Sequence, residues 1–451
     1  MKLHQIYELF RHCTGVSTDS RTVRPGQLFV ALSGENFDGN RFAQQALEAG
    51  AVAAIISDKA DLPVEARLIR VPDTLATLKD LAAWHRNHVL GRRHLPVIGL
   101  TGTNGKTTTK ELIREVLAAK YHVTATEGNF NNDVGVPLSL LRLTPETEIA
   151  VIEMGANHPD DIGKLVKVSQ PDFGLITNVG KAHLLGFGSL EGVMAAKGQL
   201  YDWIAAHDGV AFVNADDERL VGMARERSLS LIPYGLDYAG AEILPTTEEE
   251  PFLRIRLADG TVVATQLVGS YNAPNVLAAL AVGAHFEVPL EDAVAAVAAY
   301  VPSNNRSQMV RTERGNTVIV DAYNANPSSM AVALDNFDAF AAEKKVVMLG
   351  SMGELGADSA AEHRKLIERL AGTDYQVYLV GEPFRDALHS LGMTSGHGSD
   401  ESASSLHGLS VQSFPDSAAL AEHIKNHPLS GATILLKGSR SQRMEVVLPE
   451  L

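Results

Sequence analysis

The chain has 451 residues, is 45% apolar and 21% charged, and carries 39 Lys and Arg against 54 Asp and Glu, a formal charge of −15. This composition excludes a disordered chain, and the length predicts two to four domains. The single cysteine, Cys13, excludes an internal disulfide and a Cys-cluster metal site, and the acidic balance argues against general nucleic-acid binding.

The first residues contain no long apolar segment, and no 18 apolar residues run together, so neither a secretory signal nor a membrane span is expected. A reduced, cytoplasmic setting fits this reading.

Residues 1–94 combine Gly-rich turns, a helical stretch at Arg41–Gly50 and an apolar run at Ala51–Ser57. The polar, basic stretch His85–His94 ends before Pro96 and reads as a domain boundary. Residues 95–308 alternate apolar runs with amphipathic stretches, the βα rhythm of a parallel sheet. Pro96–Leu100, Ile149–Met154 and Phe173–Val179 read as strands. Lys106–Lys120 reads as a helix with Leu112, Ile113, Val116 and Leu117 on one face. Phe252–Val268 alternates around Asp259-Gly260 and predicts a hairpin; a helix follows from near Asn272, with Pro274 in its first turn. In residues 309–451, Val318–Asp321, Val346–Gly350, Val377–Gly381 and Thr433–Lys437 read as strands, and Thr394–Leu409 as a surface loop.

The strongest chemical signal runs from Gly102 through Thr103, Asn104, Gly105, Lys106 and Thr107 to Thr108. A buried strand enters a Gly-rich turn that opens directly into a helix. Glycines let the backbone approach phosphate oxygens, and the helix start offers free N–H groups and a positive dipole end. Lys106 can reach the β- and γ-phosphates, and the Thr107 hydroxyl can ligate Mg²⁺. Leu100 stands where the general motif has its first glycine, so this is a variant loop built on Gly102 and Gly105.

Lys197 falls inside the apolar stripe Leu190, Val193, Met194, Leu200, Tyr201 and Ile204 of a predicted helix, Ser189–Ile204. Two readings stand at this point. The stem snorkels and keeps its ammonium in water, or the amine is buried, loses charge and adds carbon dioxide to become a carbamate suited to Mg²⁺. Glu153 and His183 lie at or just beyond strand ends on the edge where parallel sheets bind ligands.

These motifs, with Glu153-Met154-Gly155, Asn178 through His183, Lys197-Gly198-Gln199-Leu200, Tyr271 through Asn275 and Asp321 through Pro327, resemble those of the Mur ligase family over essentially the full length. The family comprises ATP-dependent enzymes that form amide bonds. The resemblance implies an α/β chain of three domains. Residues 1–94 would be a small α/β UDP-binding domain, and 95–308 a central P-loop ATPase-type domain with a mostly parallel sheet and a hairpin extension. Residues 309–451 would be a Rossmann-like domain that contacts ATP and the incoming dipeptide.

Within the family, Glu127–Pro137, Ser17–Arg21 with Gly26–Leu32, and Gly350–Gly356 resemble the branch that joins D-alanyl-D-alanine to UDP-N-acetylmuramoyl-tripeptide in peptidoglycan precursor synthesis. The Asp-Asn-Pro-Arg signature of the diaminopimelate-adding branch is missing. A folate ligase would carry its phosphate loop near the N-terminus, and a GTPase switch would need a guanine-reading motif that Asn178-Val179-Gly180-Lys181 does not supply.

The resemblance also implies site roles. Lys106, Glu153, His183 and Lys197 would be catalytic. Thr107, Glu153, His183 and carbamylated Lys197 would hold two Mg²⁺ ions. Gly102–Thr108, Asn275, Arg306 and Asp321 would bind the nucleotide. Ser17, Asp19, Ser20, Arg21, Asn129, Asn131, Asn132 and Asn178 would contact the UDP-linked substrate, with Asn324, Asn326 and Ser328 toward the dipeptide. Lys437-Gly438-Ser439-Arg440 would occupy a strand-end loop of that same domain. A monomer that works through an acyl phosphate and closes by rotating residues from about 309 onward is expected.

Overall fold

The computed structural model describes residues 1–35, 37–91, 93–180, 184–247, 250–303, 305–340, 342–393, 404–406 and 409–451. Three α/β layers follow one another along the chain.

The first sheet is parallel, in the order Val16–Ser17, Leu28–Val30, Ala53–Ser57, Leu68–Val71. Strand side chains alternate between faces. Leu28, Val30 and Ile55 therefore pack with the helices Leu3–Phe10 and Thr74–His88, while Phe29, Ala54 and Ile56 pack with the helix Ala43–Glu48.

The stretch His85–His94, read as a domain boundary, begins inside a helix. The helix Thr74–His88, capped by Asp73 at Ala76 N, continues through His88 and docks on the next domain. His85 Nε2 lies 2.8 Å from Leu143 O, and Arg86 Nη2 donates to Gln170 O at 2.8 Å and Asp172 Oδ2 at 3.0 Å. Polarity at His85 and Arg86 serves contacts with residues 143, 170 and 172 of the following domain. One hydrophobic cluster runs from Ile6 through Leu81 into Leu140, Leu165 and Leu200 without a break.

The central sheet is parallel throughout, in the order Ser230–Tyr234, Val210–Asn214, Phe173–Ile176, Val97–Thr101, Ile149–Glu153, Val123–Ala125. Its middle strands are apolar because helices cover both faces. The predicted hairpin is present: Arg254–Arg256 pairs antiparallel with Val262–Ala264 around Gly260, and Glu242–Ile243 adds a third strand. The helix Ala273–His285, with Pro274 in its first turn, packs against the phosphate-loop helix Lys106–Ala118.

The last sheet has seven strands, ordered Gln308–Arg311, Thr317–Asp321, Thr433–Lys437, Lys345–Gly350, Gln376–Val380, Leu409–Phe414, Ser404–Leu406. The five inner strands are parallel and both edges antiparallel. Ser404–Leu406 corrects the loop expected over Thr394–Leu409. A three-residue edge strand is defined by its backbone ladder and leaves no apolar alternation to read. The remainder of that stretch up to residue 408 lies outside the described residues.

Candidate active site

The central strand Val97–Thr101 ends in the phosphate loop. Gly102 takes φ +152°, and a Cβ there would sit 1.9 Å from Thr177 Oγ1. The missing Cβ leaves Thr177 room to bind the loop itself: its Oγ1 donates to Asn104 O at 2.7 Å. Asn178 completes the clamp, donating to Asn104 O and accepting from Asn104 N, both at 3.0 Å. Asn178, expected on substrate, lines the cleft but uses its amide to hold the loop. Thr103 adds a bond to Gly180 O at 3.2 Å.

Two lysines converge on this loop. Lys106 Nζ donates to Gly102 O at 2.7 Å and Thr103 O at 3.1 Å. Burial lowers its pKa to about 8; the Glu153 charge opposes the shift and Arg306 adds to it. Lys197, on the helix Leu190–Ala206 capped by Ser189, is buried, and its Nζ donates to Gly102 O at 3.0 Å. Burial first, and the Lys106 charge second, hold its pKa well below the ordinary lysine value. The snorkelling reading therefore fails, because the amine lies inside, over the phosphate loop.

Glu153 is 1% exposed, at the end of the strand Ile149–Glu153. Its oxygens accept from Thr107 Oγ1 at 3.0 and 3.2 Å and from Asn131 Nδ2 at 2.8 Å. A hydroxyl beside a carboxylate is a hard-oxygen donor pair, and Mg²⁺ typically takes one or two protein carboxylates while keeping several waters. These residues fit that ion. No trio of His, Cys, Asp or Glu gathers among the described residues. His183 lies outside the described residues.

Asn129, Asn131 and Asn132 lie on one loop along the cleft. Asn132 Oδ1 accepts from Gly135 N, at the first residue of the helix Gly135–Leu140, at 2.8 Å. Asp133 pairs with Lys79 at 3.1 Å, tying this loop to the first domain. Ser17, Asp19, Ser20 and Arg21 are not among the cleft-lining residues. They form their own turn, in which Arg21 holds the Asp19 carboxyl at a pKa of about 2 through side-chain and backbone hydrogen bonds.

The opposite wall comes from the helix Ala273–His285 and the last domain. Asn275 Oδ1 accepts from Thr109 Oγ1 at 3.0 Å. Asp321 stands in register with Lys437, whose buried Nζ donates to Asp321 Oδ2 at 2.5 Å and to Asn324 O at 3.3 Å. Asn326 caps the helix Pro327–Ala339 and donates across the cleft to Asn104 Oδ1 at 2.9 Å. The Arg306 guanidinium stacks on the Tyr323 ring, 3.7 Å from its centroid. Sequence spacing gives no role to Tyr323 or Lys437. Both fall within the family-like motifs, and strand register and a ring contact supply their partners.

Together the walls enclose about 930 Å³ and bring Thr103–Lys106, Thr108, Glu153, Asn275, Arg306, Asp321, Asn324, Asn326 and Ser328 to one cleft. Gly102, Thr107 and Lys197 support it from behind.

Three family models match: the Mur ligase family catalytic domain over residues 12–86, the middle domain over 100–283 and the glutamate ligase domain over 305–440. The chain is 35% identical over 447 residues to the UDP-N-acetylmuramoyl-tripeptide--D-alanyl-D-alanine ligase of Escherichia coli (strain K12), covering 97% of this chain and 93% of that one. The chain belongs to the Mur ligase family. As a Mur ligase it is also similar to MurF from Acinetobacter baumannii, with TM-score 0.82, 30% identity and coverage of 100% and 98%. MurF of Thermotoga maritima, solved in complex with ADP, aligns with TM-score 0.81, 28% identity and the same coverages. No helix among the described residues is long and apolar enough to cross a membrane.

Proposed function

We propose that this Mur ligase joins D-alanyl-D-alanine to UDP-N-acetylmuramoyl-tripeptide, consuming ATP and giving UDP-N-acetylmuramoyl-pentapeptide, ADP and phosphate. The observation that carries the chemistry is the junction Thr107–Glu153–Asn131, where phosphate loop, strand end and substrate loop meet. The full-length similarity to ligases of that name supports the substrates.

A carboxylate is a poor electrophile at neutral pH. Transfer of the γ-phosphate to the tripeptide's terminal carboxylate forms a C–O–P linkage and breaks the bond to ADP. The dipeptide amine then attacks the acyl carbon, phosphate leaves and the amine loses a proton. The protein's part is positioning and charge. Lys106 exchanges loop carbonyls for phosphate oxygens. Asn275 and Arg306 hold the nucleotide, and Asp321 approaches it from the last domain. Thr107 and Glu153 would hold Mg²⁺, which when bound supplies charge neutralisation to the triphosphate.

Lys197 is the proposed carbamate. Its buried, weakly basic amine suits addition of carbon dioxide with loss of one proton, and with His183 it would serve a second Mg²⁺. Residues 1–94 would hold the UDP handle through Ser17–Arg21, 95–308 the ATP, and 309–451 the dipeptide. The last domain would rotate to close, and the enzyme would act as a cytoplasmic monomer.

The deciding experiment is phosphate release with ATP and UDP-N-acetylmuramoyl-tripeptide, comparing D-alanyl-D-alanine, D-alanine, diaminopimelate and glutamate as amine donors. D-alanyl-D-alanine is expected to turn over best; turnover with glutamate alone overturns the reading. Lys197→Ala is expected to keep nucleotide binding and lose most turnover. A ¹³C carbamate resonance from labelled bicarbonate, absent in the variant, tests the modification.

A further inference from the structure

One buried cation has no part in the chemistry above. Lys110 lies on the phosphate-loop helix Lys106–Ala118, and its side chain is fully buried. Its Nζ donates to Thr126 O at 2.6 Å and meets Glu111 Oε1 at 2.7 Å. Glu111 is shared with Arg114, at 2.8 Å. The lysine charge is thus matched, and one of its donors is spent on a backbone carbonyl 16 residues away in the chain.

Thr126 is itself buried and stands where two pieces of the site meet. Its Oγ1 accepts from Glu153 N at 3.0 Å, so it holds the backbone of the carboxylate that fits Mg²⁺. Its own N–H donates to Val151 O at 3.0 Å. Glu127 follows directly and opens the loop that carries Asn129, Asn131 and Asn132. Further along, that loop is tied to the same strand end. Asn131 Nδ2 donates to Glu153 Oε1 at 2.8 Å, and Asn131 O accepts from Gly155 N at 2.7 Å.

Thr107 and Lys110 are three residues apart, on one face of the helix. The first donates to the Glu153 carboxylate at 3.0 Å, and the second fixes the residue that holds the Glu153 backbone. Both ends of Glu153 therefore refer to one helix, whose start faces the phosphates. A charged donor suits this task, because its bond is roughly twice as strong as a neutral one and a buried carbonyl left without a donor is costly.

We propose that Lys110 is a positioning residue. It locks Thr126 to the phosphate-loop helix. Through Thr126 it sets the Glu153 carboxylate for Mg²⁺ and residues 127–132 for the UDP-linked tripeptide. The tripeptide half rests on the ligase reading above; the metal half does not.

The test uses the full chain with Lys110→Met, which removes the donor and keeps the stem, and Thr126→Val, which removes the hydroxyl and keeps the carbonyl. Three constants are read: Mn²⁺ affinity in the presence of ADP, ADP affinity in metal-free buffer, and the KM for UDP-N-acetylmuramoyl-tripeptide by phosphate release. Lys110→Met is expected to weaken Mn²⁺ binding and to raise that KM about tenfold each, the scale seen when the support of a metal ligand is lost. Metal-free ADP affinity should stay at the wild-type value. Thr126→Val is expected to weaken Mn²⁺ about fivefold, one hydrogen bond's worth, with the KM for the tripeptide near wild type. A Lys110→Met protein that melts early but keeps either constant has lost only a structural tie, and overturns the proposal. An equal loss of metal-free ADP affinity overturns it too, because the phosphate loop has then collapsed. If Lys110→Met does not fold, Thr126→Val decides, and unaltered Mn²⁺ affinity there overturns the proposal. Wild-type turnover with glutamate alone overturns the ligase reading and leaves the Mn²⁺ measurement, which needs no substrate, to judge Lys110.

Discussion

The Asn326 side chain spans the cleft: its Nδ2 donates to Asn104 Oδ1 at 2.9 Å, while its Oδ1 accepts from Ser329 N at 2.8 Å. One amide thus starts a helix of the last domain and touches the phosphate loop. The two duties separate by substitution. Asn326→Asp keeps the cap acceptor and loses the donor, so melting should hold while the KM for ATP rises about fivefold. Asn326→Ala loses both and should also cost about 1 kcal/mol of stability. Calorimetry and steady-state kinetics on the pair check this.

Lys106 predicts proton uptake. With a pKa of about 8, it is partly deprotonated at pH 8 in the free protein. Phosphate oxygens favour the charged amine and raise that pKa. Nucleotide binding should therefore take up a fraction of a proton at pH 8 and almost none at pH 6, where the lysine is already charged. Titration calorimetry in buffers of different ionisation enthalpy measures it, and Lys106→Met should abolish the difference.

Glu153→Gln tests the metal pair. The amide keeps an acceptor for Thr107 but removes the charge. Binding of Mn²⁺ as a spectroscopic substitute, in the presence of ADP, should weaken at least about tenfold, and stability should change by less than about 1 kcal/mol. Unaltered Mn²⁺ binding would place the ion elsewhere.

Arg86 predicts coupled unfolding. Its guanidinium joins the first domain to Asp172 and two carbonyls of the second, Ser169 O and Gln170 O. Arg86→Ala leaves these partners without a donor and should cost about 2–3 kcal/mol, the upper range being damped because Asp172 is partly exposed. Calorimetry should then show a first-domain transition separating from a joint one.

Much of the candidate nucleotide site is legible because it is local. Gly102–Thr108 lies on one strand–turn–helix, and Glu153 ends an apolar run, so spacing alone locates them. Lys197 was visible as an anomaly in an apolar stripe, yet whether it surfaced or stayed inside depended on what lay over it, Gly102 O. The pairing of Asp321 with Lys437 joins residues 116 apart through strand register, which no local pattern encodes. Asn178 lines the cleft, but its use on the Asn104 backbone depends on loop shape, which spacing does not encode. The contacts of His85 and Arg86 are not legible, because a polar stretch reads alike whether water or another domain satisfies it.

The unbroken core shared by the first two domains has a consequence during synthesis. Ile6, Leu81 and Leu165 belong to one cluster that extends to Ala224. The first domain therefore leaves the ribosome with an apolar flank whose partners are still unmade. At about 5–20 residues per second, that flank waits roughly 6–26 seconds for its full cover. Substitutions along the shared flank should therefore show first as poor yield.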